Sequence, residues 1–208
     1  MLAVYLNNNV EDLNIQEELA KVSDQRRIAA LRYRHENDRR LSLAVYRLLH
    51  EALKTHYGIT EPPEFAFNAY GKPWLKDYPQ IHFNLSHCRR AALCVVADQA
   101  VGCDIETIGQ GINIDLCNKC FNAEETNLIL QSDNPPLTFA KLWTKKEAFL
   151  KLIGKGLTED IRSALTSAQA RTAQFNTYVA QDNTYAYTIC TASYVKKTHI
   201  PGNDEKIR

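Results

Sequence analysis

The chain is predicted to be an α+β protein of two lobes that divide near residue 100. Three observations predict this. The elements run strand, helices, strands, and then strand, helices, strands again. Two stretches, Asp24 to Tyr57 and Leu137 to Ile153, place apolar residues at helical spacing. Between them, Ala91 to Ala97 is a nearly continuous apolar run, the pattern of a central strand. At 208 residues the chain is long enough for two small lobes sharing a core, over 1–100 and 101–208.

Leu2 to Leu6 reads as the first strand and Asp12 to Val22 as a short helix. Ile28, Leu31, Leu41, Val45, Leu48, Leu49 and Leu53 then recur at helical spacing. The polar stretch Arg34 to Arg40 divides them into two helices, and Gly58 stops the second. Pro62-Pro63 opens a strand near Phe65 to Phe67, and Tyr70-Gly71-Lys72-Pro73-Trp74 has turn chemistry. Ile81, Phe83 and Leu85 alternate with His82, Asn84 and Ser86, which makes a half-buried strand. Val101 to Glu106 follows the central strand across a short turn and is expected beside it, in mid-sheet. Helices are expected over Asn113 to Cys120, Ala123 to Gln131 and Leu137 to Ile153, the last ended by Gly154-Lys155-Gly156. Residues 173–180 and 184–191 read as a hairpin around Asp182-Asn183, and the polar tail from Lys196 is expected to be mobile.

Composition excludes some partners. A formal charge of +1 gives no general attraction to nucleic acid or to an anionic membrane. Locally, six arginines between Ser23 and Arg40 face only Asp24, Glu36 and Asp38. The N-terminus lacks the basic start of a signal peptide, and no run approaches the roughly 18 apolar residues of a membrane span. A cytoplasmic location is expected, with six reduced, buried cysteines. Cys117-x-x-Cys120 lacks two further ligands at comparable spacing, so it does not read as a zinc site.

Two segments carry chemistry. In Val101-Gly102-Cys103-Asp104-Ile105-Glu106, the carboxylates at i and i+2 project from one face of a strand. On the Leu137–Ile153 helix, Trp143, Glu147 and Lys151 form one stripe. If strand and helix pack together, three carboxylates and a lysine converge. Hard oxygen donors beside a cation suit Mg²⁺ and a phosphate-bearing substrate. The bland alternatives are charges on a solvent face and an i,i+4 ion pair worth only about 0.3–0.5 kcal/mol. In Phe83-Asn84-Leu85-Ser86-His87, Ser86 could be a hydrolase nucleophile. The segment lacks the G-x-S-x-G elbow, and a histidine next in sequence cannot easily turn onto it, so contact with a phosphate fits both groups better.

Taken together, Phe83-Asn84-Leu85-Ser86-His87, Gly102-x-Asp104-Ile105-Glu106 and Trp143-Thr-x-Lys146-Glu147-Ala148-x-x-Lys151-x-x-Gly154-Lys155-Gly156-Leu157 resemble the 4′-phosphopantetheinyl transferase superfamily. The similarity is greatest to its broad-specificity group, which activates peptide and polyketide synthases. Asp38-x-Arg40 and Tyr70-Gly71-Lys72-Pro73 fall in the expected order. The resemblance implies two pseudo-symmetric lobes, each a largely antiparallel sheet packed by helices, with the active site in the cleft between them. It implies coenzyme A as substrate, an apo acyl or peptidyl carrier protein as acceptor, and Mg²⁺ as cofactor. No nucleic acid or membrane is expected as a partner, and the protein is expected to be a monomer.

By position, Asp104, Glu106 and Glu147 resemble the metal ligands. Lys151 matches a pyrophosphate-binding lysine and His87 another phosphate contact; Lys146 belongs to the same binding motif. Arg40, Lys72, Pro73 and Ser86 match the positions that hold the adenine nucleotide and its 3′-phosphate, and Arg27 a further basic contact. Glu147 and Glu125 compete for the role of general base. The chain departs from the family at Cys88-Arg89, where a small pair often stands. The apolar side chains within 113–131 belong either to the core or to a carrier-docking surface. Two other functions remain open at this point: a non-catalytic binding module, and a Mg²⁺-dependent nucleotide phosphohydrolase.

Overall fold

The computed structural model describes residues 1–155 and 161–192. Its first sheet is β1 (Leu2–Asn7), β4 (His82–His87) and β5 (Ala92–Ala97), in the order β1-β5-β4 and antiparallel throughout. Its last is β6 (Val101–Thr107), β7 (Gln174–Val179) and β8 (Tyr185–Thr191), in the order β6-β8-β7 and again antiparallel. A hairpin of β2 (Phe65–Phe67) and β3 (Pro73–Leu75) turns through Gly71 at φ 84°. Helices α1 (Ile15–Lys21), α2 (Asp24–Leu31) and α3 (Glu36–Tyr57) precede it. Helices α4 (Ile114–Cys120), α5 (Ala123–Leu130), α6 (Pro135–Ile153) and α7 (Ala168–Thr172) follow β6. The α+β class is therefore as expected.

β5 shows why the apolar run is continuous. Ala92, Cys94 and Val96 face a core that includes Leu43, Leu49 and Leu53 of α3. Leu93, Val95 and Ala97 face the opposite way, into a second core with Val101, Cys103, Ile105, Tyr185 and Ile189 from the last sheet. Each large side chain buried there stabilises the fold by roughly 1.5–3 kcal/mol. The two sheets are thus held together by apolar surface.

One expectation is corrected here. β6 does not lie beside β5 in mid-sheet. β1 and β4 already occupy both edges of β5 along its length, so the chain leaving Ala97 has no edge to join. It crosses to a second layer, where β6 pairs only with β8 and forms an outer strand. The half-buried reading of β4 is corrected for the same reason. Asn84 and Ser86, on its polar face, are 5% and 7% exposed because the second sheet covers them.

Helix boundaries follow local chemistry. The break between α2 and α3 falls at Arg32–His35. Gly58 and Gly154 end α3 and α6 in the left-handed region, each at φ 68°. Asn134 caps α6 by accepting from Leu137 N at 3.2 Å, and prolines occupy its first turn, where a missing N–H costs nothing. The short 3₁₀ helices at Val10–Asp12 and Ile161–Thr166, together with α7, have no counterpart in the periodicity. All six cysteines are free thiols and buried. No helix among the described residues is long and apolar enough to cross a membrane. Gly156, Leu157 and the tail from Lys196 lie outside the described residues.

Candidate active site

The candidate site begins with a glycine. A Cβ at Gly102 would stand 2.0 Å from Ala148 O and 2.4 Å from Leu152 N, so only glycine lets α6 lie this close to β6. Gly102, Asp104 and Glu106 alternate onto the same face of the strand. Glu147 and Lys151, one turn apart on α6, flank the point of contact. Lys151 Nζ donates to Asp104 Oδ1 at 2.6 Å and to Ser86 Oγ at 3.0 Å, and Ser86 Oγ donates to Asp104 Oδ1 at 2.7 Å. Thr188, opposite Asp104 on β8, bonds Thr144 of α6 at 2.8 Å and Thr177 of β7 at 2.9 Å.

Three carboxylates and one ammonium make this cluster electronegative. Burial raises the pKa of Glu147, and the negative charges of Asp104 and Glu106 raise it further, against Lys151. Burial raises Glu106 as well; the N–H of Thr107 opposes this, and Asp104 adds to it. For Lys151, burial is the largest single influence and would lower the pKa, but the charges of Asp104, Cys103 and Glu147 and the hydrogen bond to Asp104 together outweigh it and hold the ammonium above its usual range. The opposite shifts have one origin, an excess of negative charge in a partly desolvated place.

That excess suits a divalent cation. The donors are hard oxygens, and a cation among them would relieve their repulsion. The side chains are not gathered around an ion as they stand: among the described residues, no group of three His, Cys, Asp or Glu is placed to hold one. Glu106 accepts from Thr107 N at 2.7 Å, and Asp104 is engaged with Lys151 and Ser86.

The other expected residues fall into three places. His87 is exposed at the end of β4. The protein mass around it lowers its pKa, and the charges of Lys151 and Arg26 add to this. It lies within electrostatic reach of both the acid cluster and the arginine-rich helices. There, Arg27 pairs with Asp24 at 2.6 Å and donates to Leu19 O at 2.9 Å. Arg40 pairs with Glu36 at 2.6 Å and donates to Leu13 O at 3.2 Å.

Lys72 and Pro73 lie on the β2–β3 hairpin. Lys72 Nζ donates to Leu152 O at 3.2 Å and to Val101 O at 3.4 Å, while Asn68 Nδ2 donates to Gly154 O at 2.9 Å. The hairpin thus braces the C-terminal end of α6, where a cation is favoured.

Lys146 and Glu125 form the third place, where the two side chains hold each other. Lys146 is 0% exposed. It pairs with Glu125 at 2.7 Å and donates to Ile161 O and Arg162 O at 2.8 and 3.1 Å. Its three ammonium protons are matched by three acceptors, so it braces structure and does not face a ligand. The carboxylate of Glu125 also accepts from Asn122 N at 2.9 Å to close a capping box. It is committed twice over. Sequence reasoning gave no role to Asn84, Thr144 or Thr188. Nothing in strand or helix periodicity marks a polar side chain that bonds across two sheets.

The fold and cluster have the chemistry of an enzyme that handles a phosphate-bearing substrate: acids, a lysine and a hydroxyl at a joint between two sheets. Comparison with known proteins makes the class specific. Residues 100–200 match the family described as the 4′-phosphopantetheinyl transferase superfamily. A 4′-phosphopantetheinyl transferase of Bacillus subtilis is 32% identical over 160 residues, covering 74% of this chain and 70% of that protein. The 4′-phosphopantetheinyl transferase gsp of Aneurinibacillus migulanus is 34% identical over 167 residues, covering 78% and 69%. The 4′-phosphopantetheinyl transferase Sfp of Bacillus subtilis (strain 168) is 28% identical over 158 residues, covering 74% and 70%. The chain belongs to this superfamily of enzymes.

Proposed function

We propose that the protein transfers 4′-phosphopantetheine from coenzyme A to a serine of an apo acyl or peptidyl carrier protein, with Mg²⁺, and releases adenosine 3′,5′-bisphosphate. The observation that carries this reading is the Lys151–Asp104–Ser86 contact, with Glu147 beside it, at the joint of two sheets. Residues 1–100 hold the nucleotide end of coenzyme A through Arg27, Arg40, Lys72, Pro73, Ser86 and His87. Residues 101–208 supply the metal ligands and the catalytic groups. The protein acts as a cytoplasmic monomer.

The serine oxygen bonds to the pantetheine-linked phosphorus as the bond from that phosphorus to the bisphosphate oxygen breaks. Glu147 takes the serine proton. In the metal-free cluster burial and neighbouring acids raise its pKa. Lys151 neutralises charge on the pyrophosphate; its ammonium is held protonated for that task. Asp104, Glu106 and Glu147 would hold Mg²⁺, which would offset negative charge on the pyrophosphate and the leaving group. Ile114, Leu116, Leu128 and Leu130 are 40–57% exposed, whereas Cys117, Phe121 and Ile129 of the same helices are core. The exposed set is the proposed carrier-docking surface.

Mass spectrometry of an apo carrier protein incubated with coenzyme A and Mg²⁺ tests the reading. A phosphopantetheine adduct is expected, and Asp104→Ala should lower its rate at least about 100-fold while staying folded. Tight binding without an adduct points to a binding module. Cleavage of coenzyme A without acceptor points to a phosphohydrolase. Leu128→Ser should raise the KM for carrier about 5-fold and leave that for coenzyme A unchanged; an unchanged carrier KM removes the docking surface.

A further inference from the structure

We infer that Asn84 is a positioning residue, which pins β6 in register against β4 and so sets Asp104 and Lys151 against Ser86. The inference rests on the transfer reaction proposed above.

As an outer strand, β6 has one edge without a ladder partner, and side chains take the place of that partner. Val101 O accepts from Lys72 Nζ at 3.4 Å, Cys103 N donates to Asn84 Oδ1 at 2.8 Å, and Ile105 N donates to Ser86 Oγ at 3.3 Å. Residues 84 and 86 on β4 match 103 and 105 on β6 in the same direction. The joint therefore imitates a parallel pairing, with side-chain oxygens in place of carbonyls. A shift by one such step would carry Asp104 about 6.6 Å along the strand, well beyond reach of Ser86.

The apolar core between the sheets is non-directional and cannot choose among registers. The bonds along this edge can. Two of them are shared: Lys72 also serves Leu152, and the Ser86 hydroxyl also serves Asp104 and Lys151. Asn84 is the buried group whose contact across the joint is to Cys103 N, and it makes the shortest of the three bonds. An amide also accepts this bond without adding charge next to Asp104.

Amide hydrogen exchange read residue by residue, combined with steady-state kinetics, tests the pin. In the wild-type protein the Cys103 amide should exchange as slowly as the β6–β8 ladder amides; fast exchange there overturns the inference without any variant. In Asn84→Leu, Cys103 and Ile105 should lose protection while the β6–β8 ladder keeps it. The kcat should fall about 10- to 100-fold, as expected for a misplaced reacting group. The KM for coenzyme A should hold within about 2-fold, which a general loss of structure would not produce. Asn84→Asp, which keeps the acceptor oxygen, should restore Cys103 protection. A folded Asn84→Leu with wild-type kcat refutes the pin alone. Absence of transfer by the wild type refutes the transfer reading, and the exchange data still decide the pin.

Discussion

Helix α6 carries two lysines five residues apart, each paired with a carboxylate at nearly the same distance: Lys146 with Glu125 at 2.7 Å and Lys151 with Asp104 at 2.6 Å. Their surroundings differ in two respects. Lys146 is fully enclosed, lies 5.4 Å from the centre of the Phe121 ring and has every proton matched. The side chain of Lys151 is 29% exposed, and its carboxylate partner stands near two further acids. The first pair is neutral and closed. The second is open and carries surplus negative charge. An ion pair by itself does not identify a site; an ion pair that leaves charge uncompensated within reach of solvent does.

The comparison can be broken at either pair. The largest effect is expected at the open one. Lys151→Met should reduce phosphopantetheine transfer about 10²- to 10³-fold and lower the melting temperature less than Lys146→Met does, measured by carrier modification and by calorimetry. A variant that melts far lower would show that this pair, too, is chiefly structural. Lys146→Met should do the reverse and destabilise the fold by about 3–5 kcal/mol, because it removes a fully enclosed ammonium from the Glu125 carboxylate and from the carbonyls of Ile161 and Arg162 at once. Adding Glu125→Gln should recover much of that in denaturant titrations. If the double variant is as unstable as the single one, the two groups do not act as a pair.

The smallest effect sharpens the contrast through pH. Glu147 has a folded-state pKa raised above the ordinary 4.5, so the folded protein binds its proton more readily than the unfolded chain does. Stability from this group is present below the ordinary value and is lost as pH rises through the raised one. Without divalent cations, wild type should therefore lose stability relative to Glu147→Gln as pH climbs from 4.5 upward. Mg²⁺ should flatten the difference. Equal slopes for the two proteins would refute the electrostatic account of the open cluster.

Local features were legible in the sequence. The β5 run, the glycine ends of α3 and α6, and the shared face of Asp104 and Glu106 follow from periodicity and backbone chemistry, which act over a few residues. Non-local choices were not legible. That β6 pairs with β8 depends on β1 and β4 having filled both edges of β5, a competition among segments whose paired residues lie up to 95 apart. Lys146 and Lys151 look alike in sequence. Their separation into brace and candidate site depends on which carbonyls arrive from Ile161 and Arg162. The polar face of β4 read as a solvent face, because alternation reports polarity and not what covers it.

The pairing of β6 with β8 also bears on the order in which a chain leaves the ribosome. Leu93 and Val95 emerge long before Tyr185 and Ile189, which complete the core they share with Val101, Cys103 and Ile105. Until residues 185–191 have been made, that core is incomplete and Asp104 lies on a strand without its ladder partner. The first sheet can assemble on α3 early, but the strand that carries the acids gains its ladder partner only once β8 has been made. Before that point the site is not complete, and the unfinished core is the surface that chaperones would meet.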